Sequence, residues 1–133
     1  MNTINEGKNT MSETYVFHVN SHVNVPINER GRRAVTEEHE YVEFIDDDFS
    51  SMKYSDEDAL VLTDLFMEFN DAFDLLIDDC EDELLPTDKV TPAVAMTKAF
   101  LNRSKESDKP RIERFLAMLE LAQRTNMPVS FNL

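Results

Sequence analysis

Residues 108–133 read DKPRIERFLAMLELAQRTNMPVSFNL, and their two halves follow two different periods. Ile112, Phe115, Leu116, Leu119 and Ala122 recur at steps of three and four, the apolar face of a helix over about residues 108–125. Asn126 suits a left-handed cap at its C-terminus, and Pro128 blocks continuation. Val129, Phe131 and Leu133 then alternate with Ser130 and Asn132, the period of a half-buried strand. A helix that turns directly into a closing strand needs a sheet from earlier in the chain for that strand to join.

The sheet is expected near the start. Tyr15, Phe17, Val19, Val23, Val25 and Ile27 share one parity, and His18, Asn20, His22 and Asn24 share the other. A three-residue loop at Asn20-Ser21-His22 would pair Val19 with Val23 and Phe17 with Val25, keeping one apolar face. A single long strand keeps it too; the hairpin is the favoured expectation. Residues 28–33, NERGRR, read as a polar loop whose Gly31 can take a positive φ. Residues 40–45 suggest another strand, ended by Asp46-Asp47-Asp48.

Helices fill the middle. Ser55 is a good N-cap, followed by Asp56, Glu57 and Asp58 in a first turn whose dipole favours acids. Leu62, Leu65, Phe66, Phe69, Phe73, Leu76 and Ile77 make one stripe through about residue 80. A second helix is expected to start at Thr91-Pro92, burying Ala93, Met96, Phe100 and Leu101, with a charged connector over residues 103–109. The fold class is therefore α+β: a small antiparallel sheet (N-terminal hairpin plus C-terminal strand) packed against about three α-helices. Residues 1–12 read as a flexible tail and residues 13–133 as a single α+β domain.

The chain has 133 residues, 41% of them hydrophobic and 30% charged, which suits a globular core rather than disorder. One cysteine, Cys80, permits no intrachain disulfide. No apolar run approaches the ~20 residues that span a bilayer. Residues 1–10 lack the apolar stretch of a secretory signal, so the expected location is cytoplasmic.

Charge is the informative feature. The formal net charge is −14, and it is not spread evenly. Residues 1–33 carry three acids and four bases, residues 34–88 twenty acids and one base, and residues 89–133 four acids and eight bases. An acidic block between mildly basic ends argues against direct binding to nucleic acid or to an anionic membrane. Asp64, Glu68, Asp71, Asp74 and Asp78 fall opposite the apolar stripe, and Asp78, Asp79, Asp82 and Glu83 crowd what reads as the same helix's C-terminal end. Acids there oppose the helix dipole, so stability alone does not select them. Three readings follow. Arg111, Arg114, Lys105 or the arginines of residues 30–33 neutralise the block internally, the acids form a surface for a basic partner, or they serve solubility alone. Phe49, Met52, Tyr54 or Met67 would supply apolar anchors for such a surface, although packing into the core is the stronger expectation for them.

Other chemistry finds little support. Asp46-Asp47-Asp48 and the acids around Cys80 lack the alternating spacing, central glycine and terminal glutamate of a calcium loop. His18 and His22 stand ~13 Å apart on a strand, too far to share a metal. Carboxylates around Cys80 raise rather than lower a thiol pKa, which suits core packing and not a nucleophile. There is no glycine-rich phosphate loop, and the basic residues 30–33 read as solvated. No metal or other cofactor is expected. The function these features favour is a non-enzymatic acidic interaction protein that occupies a basic surface of a protein partner, such as a nuclease or nucleic-acid-binding protein. An immunity protein, an antitoxin or a phage-type inhibitor would have that character. The alternative is a small enzyme or ligand-binding domain with a site assembled from scattered residues, or an accessory subunit of a larger assembly.

Overall fold

A computed structural model describes residues 21–36, 46–78 and 82–133. In chain order the elements are β1 (His22–Pro26), α1 (Glu29–Thr36), a 3-10 turn (Asp46–Asp48), β2 (Phe49–Lys53), α2 (Asp56–Phe73), β3 (Asp82–Leu85), α3 (Thr87–Arg103), a second 3-10 turn (Glu106–Asp108), α4 (Lys109–Thr125) and β4 (Val129–Asn132). The four strands form one antiparallel sheet in the order β2-β1-β4-β3. The class is α+β, with four α-helices among the described residues where the periodicities lead one to expect about three.

β1 is a central strand because its alternate residues belong in the core. Val23 and Val25 are fully buried on the side facing α4 and its neighbours. Val23 has Met52 on one side and Phe131 on the other, so its partners are not Val19 as a tight hairpin would require. The expected tail, the first half of that hairpin and the expected strand at residues 40–45 lie outside the described residues.

The opposite face of the sheet carries a polar row. Asn24 and Ser130 are register partners, 3% and 6% exposed, and burial obliges their polar groups to find mates. Ser51 Oγ donates to Asn24 Oδ1, and Asn24 Nδ2 donates to Asn132 Oδ1 at 2.7 Å. Ser130 Oγ also donates to Asn132 Oδ1, whose own Nδ2 donates to Asp82 Oδ1 at 3.0 Å. This chain of side-chain hydrogen bonds crosses all four strands and reinforces their register.

The stretch NERGRR is a helix start, not a loop. Asn28 caps α1 by accepting the Gly31 N–H at 2.8 Å, and Gly31 has no positive φ. Its glycine is required by proximity: a Cβ there would lie 2.5 Å from the Asp48 carbonyl oxygen and 3.3 Å from Pro26 Cβ. Arg30 Nε donates to Asp48 Oδ2 at 2.8 Å and Asn28 Nδ2 to Asp48 Oδ1 at 2.9 Å, closing the same clasp. Those partners hold the Asp48 carboxyl below its ordinary pKa, the Arg30 hydrogen bond first and Asn28 next, against the opposing effect of burial.

α2, α3 and α4 enclose the core with the sheet. Phe66 is its aromatic hub, edge-on to Phe115 at 5.2 Å and to Phe131 at 5.3 Å between ring centroids. α3 begins a turn earlier than expected, at Thr87 after Pro86, and so brings Val90 into the core at 2% exposure. Pro92 therefore sits inside the helix, where it lacks the N–H that would reach the carbonyl of Asp88. α4, its left-handed cap at Asn126 and the closing strand follow the sequence pattern closely. Among the described residues no helix is long and apolar enough to cross a membrane.

Candidate protein-binding face

α2 is fixed at its N-terminus by a capping box. The Asp58 N–H donates to Ser55 Oγ at 3.1 Å, and the Ser55 N–H donates back to Asp58 Oδ2 at 2.8 Å. Asp58 is the most deeply buried charge of the described acidic segment, its side chain 1% exposed. Arg111 Nη1 and Arg114 Nη2, both from α4, reach its two oxygens at 2.8 Å each. Burial pushes the Asp58 pKa up, but the Ser55 N–H, the Arg111 hydrogen bond, the Ser55 hydroxyl and the Arg114 charge together hold it below the ordinary value. This cluster locks the start of α2 onto α4, and Arg114 also donates to the Lys53 carbonyl at the end of β2.

With that anchor and with Leu62, Leu65, Phe66 and Phe69 buried, the orientation of α2 is set. Its opposite face points outward. Leu60 is 87% exposed and Met67 58% exposed on this face, and Asp64 and Asp71 lie beside them, also exposed. Steps of four, three and four connect Leu60, Asp64, Met67 and Asp71, so these side chains form one ridge along the helix. Among the described residues, Asp64, Asp71 and Asp74 are in no salt bridge. Glu68, at the ridge's side, is ion-paired with Arg103 of α3.

The C-terminal part of the expected acidic surface is built differently. α2 ends at Phe73, not near residue 80, and Asp74 caps it in the left-handed conformation at φ 58°. Asn70 directs the exit: its carbonyl accepts the Leu75 N–H at 3.2 Å, its Oδ1 the Ile77 N–H at 2.8 Å, and its Nδ2 donates to the Ile77 carbonyl at 3.1 Å. Ile77 still enters the core, whereas Leu76 is 72% exposed. Apolar residues beyond the helix end thus kept the helical spacing without being helical. The dipole argument for Asp78, Asp79, Asp82 and Glu83 falls with the shorter helix, because none of them lies at its end.

Asp78 is exposed in the following loop, and Asp79 and Cys80 lie outside the described residues. Asp82 opens β3 and accepts from Asn132. Glu83 is half-buried and accepts the backbone N–H of Leu76 at 2.7 Å and of Leu84 at 2.9 Å. Asp82 and Glu83 therefore serve the sheet and its preceding loop. Phe49, Met52 and Tyr54 are buried, leaving Met67 as the exposed member of the four candidate anchors. Leu60 escaped the sequence reading, although its place off the Leu62, Leu65, Phe69 stripe is a legible signal.

Internal neutralisation thus accounts for Asp48, Asp58 and Glu68, and leaves the ridge acids unpaired. Among the described residues no group of three or more His, Cys, Asp and Glu side chains is placed to hold a metal ion. Comparison with protein-family models, with curated proteins and with solved structures finds no match.

Proposed function

We propose that this chain is a non-enzymatic acidic interaction protein, acting in the cytoplasm, that binds and blocks a basic surface of a protein partner. An immunity protein, an antitoxin or a phage-type inhibitor of a nucleic-acid-binding system is the form this activity takes. One observation carries the reading: the outward face of α2 combines two exposed large apolar side chains, Leu60 and Met67, with the unpaired acids Asp64 and Asp71. Exposed apolar residues supply binding energy when a partner covers them, and flanking charge steers encounter and rejects partners of like sign. A solvated surface explains the acids but gains nothing from leaving Leu60 almost wholly in water.

The test is kinetic. Replacing Asp64, Asp71 and Asp74 by Asn preserves size and, at Asp74, a residue type that accepts the left-handed conformation. Association with the captured partner should slow by about tenfold at low salt, and the wild-type rate should fall as ionic strength rises through ~0.1 M, where the Debye length is ~10 Å. Thermal stability should stay the same. A partner that binds the triple variant at the wild-type rate, with no salt dependence, removes this function.

A further inference from the structure

Five residues of α2 follow a strict repeat. Glu57, Asp64 and Asp71 are exposed acids at seven-residue intervals, and Leu60 and Met67 are exposed apolar residues at the same interval, in alternating steps of three and four. Seven residues are two helical turns, so both rows run along the helix side by side. We infer that this ridge docks a basic amphipathic α-helix of the partner, with apolar residues at seven-residue spacing against Leu60 and Met67 and Lys or Arg along the flank facing Glu57, Asp64 and Asp71. The inference rests on the proposed function and specifies the partner's element.

Spacing decides for a helix. Leu60 and Met67 are ~10.5 Å apart along the axis at ~1.5 Å per residue. A second helix offers the same ~10.5 Å repeat on one face, whereas a strand at ~3.3 Å per residue offers ~6.6 or ~13 Å on one face and matches neither. Charge decides for a basic one. The acid row Glu57, Asp64 and Asp71 runs the length of one flank of the apolar row, whereas the other flank has an exposed acid, Asp56, only at its start and then Thr63 and Asn70, so the partner's cations belong mainly on the flank that faces the acid row. A second copy of this chain is disfavoured, because each carries a formal charge of −14.

The experiment places a photoreactive benzoylphenylalanine at position 60 or 67 of the full chain in the cell that makes it, and sequences the crosslinked peptides. Both positions are exposed, and an unchanged melting temperature verifies each variant. The expected crosslinks from the two positions fall in one partner segment, ~7 residues apart, with Lys or Arg along one flank. In parallel, Leu60→Ser with Met67→Ser should weaken binding at least tenfold. Crosslinks into a second copy, into two separate segments or into a segment without cations overturn the helix inference. So does wild-type affinity in the double serine variant. If the Asn variants of Asp64, Asp71 and Asp74 still slow association in that case, the basic-partner function stands while the helix fails; if they do not, both fail.

Discussion

Asp58→Ala tests the physical account of how α2 is held. The substitution removes four hydrogen bonds: from the Ser55 N–H, the Ser55 hydroxyl, Arg111 and Arg114. Loss of the capping-box return bond costs about 1 kcal/mol. Stranding a buried charge costs about 3–5 kcal/mol, but Arg111 and Arg114 are 37% and 52% exposed and recover water, so their share falls to about 1–2 kcal/mol. The sum is about 2–3 kcal/mol. For a chain of this length at roughly 3–4 °C per kcal/mol, the melting temperature drops by about 6–12 °C in a thermal scan. The pH dependence supplies a second signature. The folded-state pKa of Asp58 is depressed, so its contribution is complete above the ordinary carboxylate range of about 4 and is lost as pH falls through the folded value. Asp58→Asn should therefore trail the wild type by a constant margin from about pH 5 to 8, and the gap should close on acidification below about 4. Comparing the two proteins cancels the relief of general acidic repulsion. A drop below about 2 °C, or a gap that persists in acid, would refute the claim that this charged cluster anchors α2.

Two further substitutions probe parts of the fold that sequence misread. Gly31→Ala gains about 1 kcal/mol of helix propensity but drives a Cβ to within 2.5 Å of the Asp48 carbonyl oxygen, so a net loss of about 1–2 kcal/mol is expected in urea unfolding; a stabilised variant would mean that α1 and the Asp48 turn do not pack as described. Glu83→Ala removes the acceptor for the N–H groups of Leu76 and Leu84 and should cost about 1 kcal/mol, whereas relief of repulsion at a helix end would have raised stability.

What the sequence determined by itself was local. The 109–125 helix, its Asn126 cap and the closing strand were legible because each depends on neighbouring residues: apolar spacing, a left-handed cap, a proline and a change of period. The Ser55 cap was legible for the same reason, since a capping box is complete within four residues. The tertiary structure decided the rest. Nothing in the spacing of Leu76 and Ile77 shows that Asn70 folds the chain out of α2 at Phe73, because that turn is made by side-chain bonds to Ile77, and the core accepts Ile77 from a loop as readily as from a helix. Gly31 is required by the approach of Asp48, distant in sequence, and not by its own φ. The candidate binding face divides the same way. Periodicity placed Asp64 and Asp71 opposite the buried stripe, but which acids are neutralised depended on where α3 and α4 set Arg103, Arg111 and Arg114. Charge pairing is a contact between distant segments, and only the packed chain selects which carboxylates remain unpaired.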